Sequence, residues 1–288
     1  MQNIKRLAWY LQVIAVTLVI PSSRLLAQNY LGAAQQFGVL GARTVTNTNA
    51  TTIRGDLGVH PGTSITGLTS ITLTGTVHQT DGVAQTAQAN ALSGFNLLAG
   101  LPNGVNLSNT NLNGLTLNPG VYYFSSSAQL TGTLVLDFLG NQNAAFVFQV
   151  GTALTTASSS TVSVVNGGAQ NGVYWQVGTS ATLGTNSVFA GNLIADQSIT
   201  VTSGARILCG RAIALHAAVT LDNNVISNDC VGEGSNGTGR IDFGSRGFSG
   251  GTSVGPTVVP EPSTFALLAG VGSLMALGLA LQRRRLRI

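Results

Sequence analysis

The chain has 288 residues, 44% hydrophobic and only 8% charged, with a formal net charge of +4. Seven of its thirteen basic residues sit at the two ends (Lys5, Arg6, Arg24, Arg283, Arg284, Arg285, Arg287), which leaves a body near −2, six arginines against eight acids. The basic balance therefore belongs to the ends, and nucleic acid is excluded as a partner of the body.

In chain order, Met1 to Arg6 is a basic start and Leu7 to Ile20 an apolar run, and Leu25-Leu26-Ala27 offers a small residue for cleavage. Residues 1–27 read as a secretory signal peptide cut after Ala27. From Tyr30 to Val59, short apolar runs (Phe37 to Leu40, Thr44-Val45-Thr46-Asn47, Ile53 to Val59) alternate with Gly, Asn and Pro turns. They are expected to form the first coils. Leu68-Thr69-Ser70-Ile71-Thr72-Leu73-Thr74 carries the phrase that recurs later, with Thr69, Ser70 and Thr72 in its polar places.

Asp81 to Ala99 lacks Pro, is rich in Ala and Gln, and spaces Val83, Ala87, Ala91, Leu92, Phe95 and Leu98 on one face. This predicts a helix ended by Gly100 and Pro102 that covers one flank of the fold. Strand-like runs return at Leu115 to Leu117, Gly120 to Phe124 and Leu130 to Leu136.

The stretch from Phe146 to Ser227 repeats one phrase four times: Thr152-Ala153-Leu154-Thr155, Thr179-Ser180-Ala181-Thr182, Gln197-Ser198-Ile199-Thr200 and Ala217-Ala218-Val219-Thr220. Two other kinds of apolar run separate the copies, so three short strands recur in fixed order, with steps of 27, 18 and 20 residues between the last threonines. That pattern predicts a β-solenoid in which each coil adds one strand to each of three parallel sheets. Alternation points Leu154, Leu183, Ile199, Val201, Val219 and Leu221 inward and Thr155, Thr182, Thr200 and Thr220 outward as a ladder.

Cys209 and Cys230 are 21 residues apart, about one coil, which suits a disulfide closing the last coil of an exported protein. Residues 28–230 thus form one solenoid domain, and 231–258 read as a Gly/Ser-rich spacer. The segment 259–288 then holds Pro260-Glu261-Pro262, an apolar helix over 265–281 long enough to span a bilayer, and Arg283-Arg284-Arg285. That order resembles the PEP-CTERM sorting signal of Gram-negative bacteria. The resemblance implies passage through the export machinery, transient membrane anchoring by the helix, and removal of the tail by an exosortase, leaving the protein extracellular or at the cell surface.

Within the body, Gly55-Asp56-Leu57-Gly58-Val59, Pro119-Gly120-Val121-Tyr122, Ser126 to Gly132, Val173 to Gly178 and Ala218 to Asn223 resemble the ice-binding-like family of microbial antifreeze proteins, roughly over Leu31 to Asn228. The resemblance implies an all-β-dominated, irregular, three-sided right-handed β-helix with one long helix alongside, and ice bound on one flat sheet through a Thr-Ala/Gly-x-Thr/Asn phrase. Thr152-Ala153-Leu154-Thr155 matches that phrase fully and Thr179-Ser180-Ala181-Thr182 nearly, while Gln197 and Ala217 stand in place of the first threonine in the other two copies.

The chemistry of the residues agrees with a non-catalytic role. Ice presents neither charge nor pocket, and threonine offers a methyl, a hydroxyl and a restricted χ1. The acids Asp56, Asp81, Asp137, Asp196, Asp222 and Asp229 form no carboxylate pair by spacing, and His60, His78 and His216 form no ligand cluster. The Gly-x-Gly-x-x-Gly at Gly232 to Gly237 lies in the spacer with no strand before it. No enzyme, cofactor or metal is expected. The expected function is ice binding by a monomer through Thr152, Ala153, Thr155, Thr179, Ser180, Thr182, Ser198, Thr200, Ala218 and Thr220, joined by Thr69, Ser70 and Thr72. The competing reading is a cell-surface or biofilm-matrix adhesive protein, with exopolysaccharide in place of ice.

Overall fold

The computed structural model describes residues 28–168 and 170–229. The expected signal peptide, the spacer, the sorting segment with its apolar helix, and Cys230 lie outside the described residues. Among the described residues, no helix is long and apolar enough to cross a membrane.

Among the described residues, seven strands precede one α-helix: β1 (Phe37–Gly41), β2 (Thr44–Thr48), β3 (Thr51–Arg54), β4 (Asp56–Val59), β5 (Ser64–Thr66), β6 (Ile71–Leu73) and β7 (Val77–Gln79). Helix α1 (Gly82–Ala99) follows, then β8 (Val105–Asn106), β9 (Thr116–Leu117), β10 (Gly120–Phe124), β11 (Ala128–Leu130), β12 (Thr133–Asp137) and β13 (Ala145–Val150). The remainder are β14 (Leu154–Thr156), β15 (Thr161–Val165), β16 (Gly172–Val177), β17 (Ala181–Leu183), β18 (Val188–Ala195), β19 (Ile199–Val201), β20 (Arg206–Ala214), β21 (Val219–Asp222) and β22 (Val225–Ser227).

Among the described residues every strand pair is parallel, and the chain visits three ladders in turn. One ladder runs β5-β2-β21-β19-β17-β14-β11 and forms a sheet of its own. The other two merge into a 15-stranded sheet because β18 and β20 are long enough to serve both. Each bends between its halves, with a register shift between Ala190 and Asn192. Gly191 sits at the bend with φ +97, and a Cβ there would lie 2.6 Å from Val173 Cγ1, so a side chain is barred on both counts.

The stacking order is not the chain order. β1, β2 and β3 pair with β20, β21 and β22, so the N-terminal coils sit on the last coil rather than before the middle ones. Helix α1 makes this possible. Its 18 residues rise about 27 Å, close to the six strand spacings, about 29 Å, that separate β7 from β13. The helix carries the chain back down the stack, and the remaining coils wind up to meet the first ones.

The helix starts where Asp81 accepts the Ala84 N–H at 2.8 Å. That bond, and then His78, hold the Asp81 carboxyl below its ordinary pKa. His78 Nδ1 lies 2.7 Å from Asp81 and its Nε2 3.8 Å from Asp56, tying the helix start to β4 and β7. At the other end Gln149 Nε2 donates to the carbonyls of Leu98 (2.8 Å) and Leu101 (2.9 Å), satisfying groups the helix leaves open.

The buried stripe of the helix is Ala84, Ala87, Gln88, Ala91, Gly94 and Leu98. Val83 and Leu92, expected on that stripe, are 49% and 40% exposed. Close approach explains the difference. Small residues let the helix lie against Val147, Tyr174, Ile194 and Ile213 of the sheet, and larger side chains are turned outward.

Two features hold the stack together. Inside, Phe148 and Trp175 stack with ring centroids 3.8 Å apart, and the Trp175 indole donates to Ala190 O at 3.0 Å, so the largest core residue is packed and satisfied. At the non-sequential joint, the fully buried Arg211 donates to Phe37 O (3.1 Å), to Gln35 O (2.8 Å) and to the Asn192 side chain. Burial pushes its pKa down to about 10, so it stays protonated at neutral pH. Cys209 is disulfide-bonded.

Candidate functional site

Helix α1 covers one ladder, which leaves the seven-stranded sheet with a free outer face. Its strands are short and alternate strictly. Leu154, Ala181, Leu183, Ile199, Val201, Val219, Leu221 and Val45 point into the core. Thr156 also turns inward and is satisfied, its Oγ1 accepting from Gly184 N at 2.9 Å.

The outward residues fall in ranks fixed by the pairing register. The central rank is Gln129, Thr155, Thr182, Thr200, Thr220, Thr46 and Thr66, each opposite the next. Six threonines on consecutive rungs extend about 24 Å at the usual strand spacing. Two residues earlier along each strand runs a rank of small residues, Ala153, Ser180, Ser198 and Ala218, extended by the paired Thr44 and Ser64. The Ser180 and Ser198 hydroxyls lie 2.9 Å apart and bond to each other, so they stiffen the face more than they contact solvent.

Thr155, Thr182, Thr200 and Thr220 thus share one face, with Ala153, Ser180, Ser198 and Ala218 beside them. Thr152 and Thr179 lie one rung apart at the corner leading into the face, where Thr179 N donates to Thr152 O at 2.9 Å. Gln197 continues that corner, donating to Thr179 O at 2.8 Å.

Thr69, Ser70 and Thr72 do not belong to this face. Gly67, at φ +72, turns the chain into a short 3-10 segment, Leu68–Ser70, which ends the ladder one strand early. The Ser70 hydroxyl is engaged in that corner, donating to Gly67 O at 2.9 Å and accepting from Asn47 Nδ2 at 3.0 Å. Thr72 then falls on β6, opposite Thr52, on a different side of the solenoid.

The residues that do continue the rank are Thr46 and Thr66. Their local phrase, Thr44-Val45-Thr46 and Ser64-Ile65-Thr66, has the same small–apolar–threonine spelling as the later copies. What concealed them is distance along the chain. Thr46 pairs with Thr220, a contact that no sequential reading of the coils anticipates.

Charge is confined to the rim. Asp222, opposite Thr48 at one edge, accepts from Asn49 Nδ2 at 2.8 Å. At the other edge His216 Nδ1 lies 3.1 Å from Asp196 Oδ1. Neither outward rank contains Asp, Glu, Lys or Arg. Among the described residues, no three of His, Cys, Asp and Glu assemble as a metal site.

Fold and site together define a parallel β-solenoid that presents an uncharged, hydroxyl-bearing face. The family described as ice-binding-like matches residues 39–227, and the chain belongs to that family. A PEP-CTERM protein-sorting motif matches residues 258–285. The chain is 42% identical to an ice-binding protein of Nostoc sp. (strain HG1) over 280 residues, covering 97% of this chain and 96% of that one. An ice-binding protein from an Antarctic biological consortium has a similar crystal structure, with a TM-score of 0.67 and 40% identity over 73% of this chain and 95% of that one. The ice-binding protein of the Antarctic ascomycete Antarctomyces psychrotrophicus is similar at TM-score 0.66 and 40% identity, over 70% and 98%.

Proposed function

We propose that this protein binds ice, without catalysis, through the seven-stranded face. The observation that carries the reading is the rank of six consecutive threonines held at a fixed spacing by hydrogen bonds to the strands on either side. Restricted χ1 keeps each methyl and hydroxyl in place before ice arrives, so little side-chain entropy is lost on contact. Charged groups would retain their own hydration shells, and the face has none. The names of the relatives support the same reading.

In this reading the three ladders wind as a three-sided, right-handed helix with one closed side and one free flat side. The signal peptide is cut after Ala27, residues 28–230 act as a monomeric domain, and the Cys209 disulfide closes the last coil with Cys230, the one other cysteine in the chain. The spacer then separates the domain from the membrane, where Pro260-Glu261-Pro262 and Arg283-Arg284-Arg285 present the tail to an exosortase. The sorting motif supports export and surface association, and in this reading the face meets ice outside the cell.

The test is thermal hysteresis and ice recrystallisation inhibition by the purified protein beside a Thr155→Tyr/Thr182→Tyr variant. Activity that collapses in the folded variant supports the reading. Activity equal in both moves the site to another face, and an inactive, well-folded parent leaves a surface scaffold without ice activity.

A further inference from the structure

Where the threonine face begins, β2 is entered through Ala42 and Arg43, and the neighbouring coil turns through Pro61, Gly62 and Thr63 into β5. Between these corners and Leu215–His216 lies an open cleft of about 540 Å³, within the size range of small-ligand sites. Its lining combines an apolar floor (Ala42, Pro61, Leu215) with three hydroxyls (Thr44, Thr63, Ser64) and two nitrogenous side chains, Arg43 and His216.

The lining is fixed in place. Gly62 N donates to Ala42 O at 2.7 Å, the Thr80 hydroxyl to Gly62 O at 3.0 Å, and Gln79 Nε2 to Thr63 O at 2.5 Å. The two corners touch so closely that a Cβ at Gly62 would lie 1.8 Å from Arg43 O. Arg43 Nε donates to His216 O at 3.1 Å, which aims the guanidinium. Its terminal nitrogens form no ion pair among the described residues. Asp196 engages His216 Nδ1 at 3.1 Å, which leaves Nε2 for a ligand.

We propose that this cleft binds a carboxylated saccharide, a uronate unit of an acidic polysaccharide. The Arg43 guanidinium matches a carboxylate in two parallel hydrogen bonds. His216 Nε2 and the three hydroxyls take ring hydroxyls, and the floor takes the apolar C–H face of the ring. A single cation among several hydroxyls suits a polyol carrying one charge. It does not suit a polyphosphate, whose binding rests on many cations. Thr44 and Ser64 of the outward rank form part of the lining, and the cleft is open, so an internal unit of a long chain can enter without threading.

The test is a 15N-labelled titration of the purified protein above freezing with trigalacturonate, maltotriose and acetate, on the parent and on Arg43→Gln. The expected result is saturable shifts confined to residues 42–44, 62–64 and 215–217 with trigalacturonate, weakened at least tenfold in the Arg43→Gln variant and much weaker with maltotriose. Absence of shifts in the cleft, equal binding by the variant, or acetate reproducing the shifts at equal affinity would each overturn the proposal. Arg43→Gln should retain ice recrystallisation inhibition, so failure of the cleft and failure of the ice-binding face are read separately.

Discussion

Thr46→Tyr is the substitution that separates the observed face from the sequence pattern. Thr46 lies between Thr220 and Thr66 in the central rank, and its side chain points outward. A tyrosine there replaces a two-carbon branch with a ring that stands well above the neighbouring methyls. The uninterrupted rank shrinks from six threonines to four, from about 24 Å to about 14 Å at the strand spacing, and the ring also props the face off a flat surface. Stability should change by no more than about 0.5 kcal/mol, because the side chain alternates away from the buried Val45 and Asn47. Thermal hysteresis should fall by more than half, with an unchanged melting curve by circular dichroism. Thr72→Tyr is the matched control, since Thr72 shares the recurring phrase but stands on β6, and it should leave activity intact. The reverse outcome, loss in Thr72→Tyr and none in Thr46→Tyr, would refute the assignment of the face.

Three further predictions follow from the same geometry. Thr182→Tyr should reduce ice activity more than Thr182→Ser, which keeps the hydroxyl and the flat profile; equal effects in a hysteresis assay would argue against the rank. Arg211→Lys should lose the fork that joins Gln35, Phe37 and Asn192, at a cost of about 2 kcal/mol or a fall in Tm of about 4–8 °C for a domain of this size. An unchanged Tm would mean that the joint is held elsewhere. The Asp81 carboxylate, held below its ordinary pKa, stabilises the helix start above the usual carboxylate range, and that contribution is lost as pH falls through its lowered value. The difference in Tm between the parent and Asp81→Asn should therefore narrow on acidification; a constant gap would assign the effect to packing with His78 and Asp56 instead.

Much of this architecture could be read in the residues, because a coil that buries one side of each strand must alternate. Thr155, Thr182, Thr200 and Thr220 were legible from that alternation, as were the inward Leu183 and Val219. The helix was legible from its Asp81 start and its Ala-rich interior, and the side it buries was legible in part, through Ala87, Ala91 and Leu98. Periodicity weights large apolar residues, yet close packing also selected Ala84, Gln88 and Gly94 and left Val83 and Leu92 outside. Thr46 and Thr66 escaped for a different reason. Their phrase was intact, but nothing local records that β2 pairs with a strand 174 positions later. Thr69, Ser70 and Thr72 show the converse, since the left-handed turn at Gly67 puts the first two in a 3-10 corner and Thr72 on another ladder.

Growth of a single-crystal ice hemisphere from a solution of the fluorescently labelled protein tests the central claim most directly. Labelled protein should concentrate on defined planes of the crystal, and a Thr182→Tyr/Thr200→Tyr variant should be left in the liquid. Exclusion of the folded parent from the ice, or uptake of parent and variant alike, would contradict ice binding through this face.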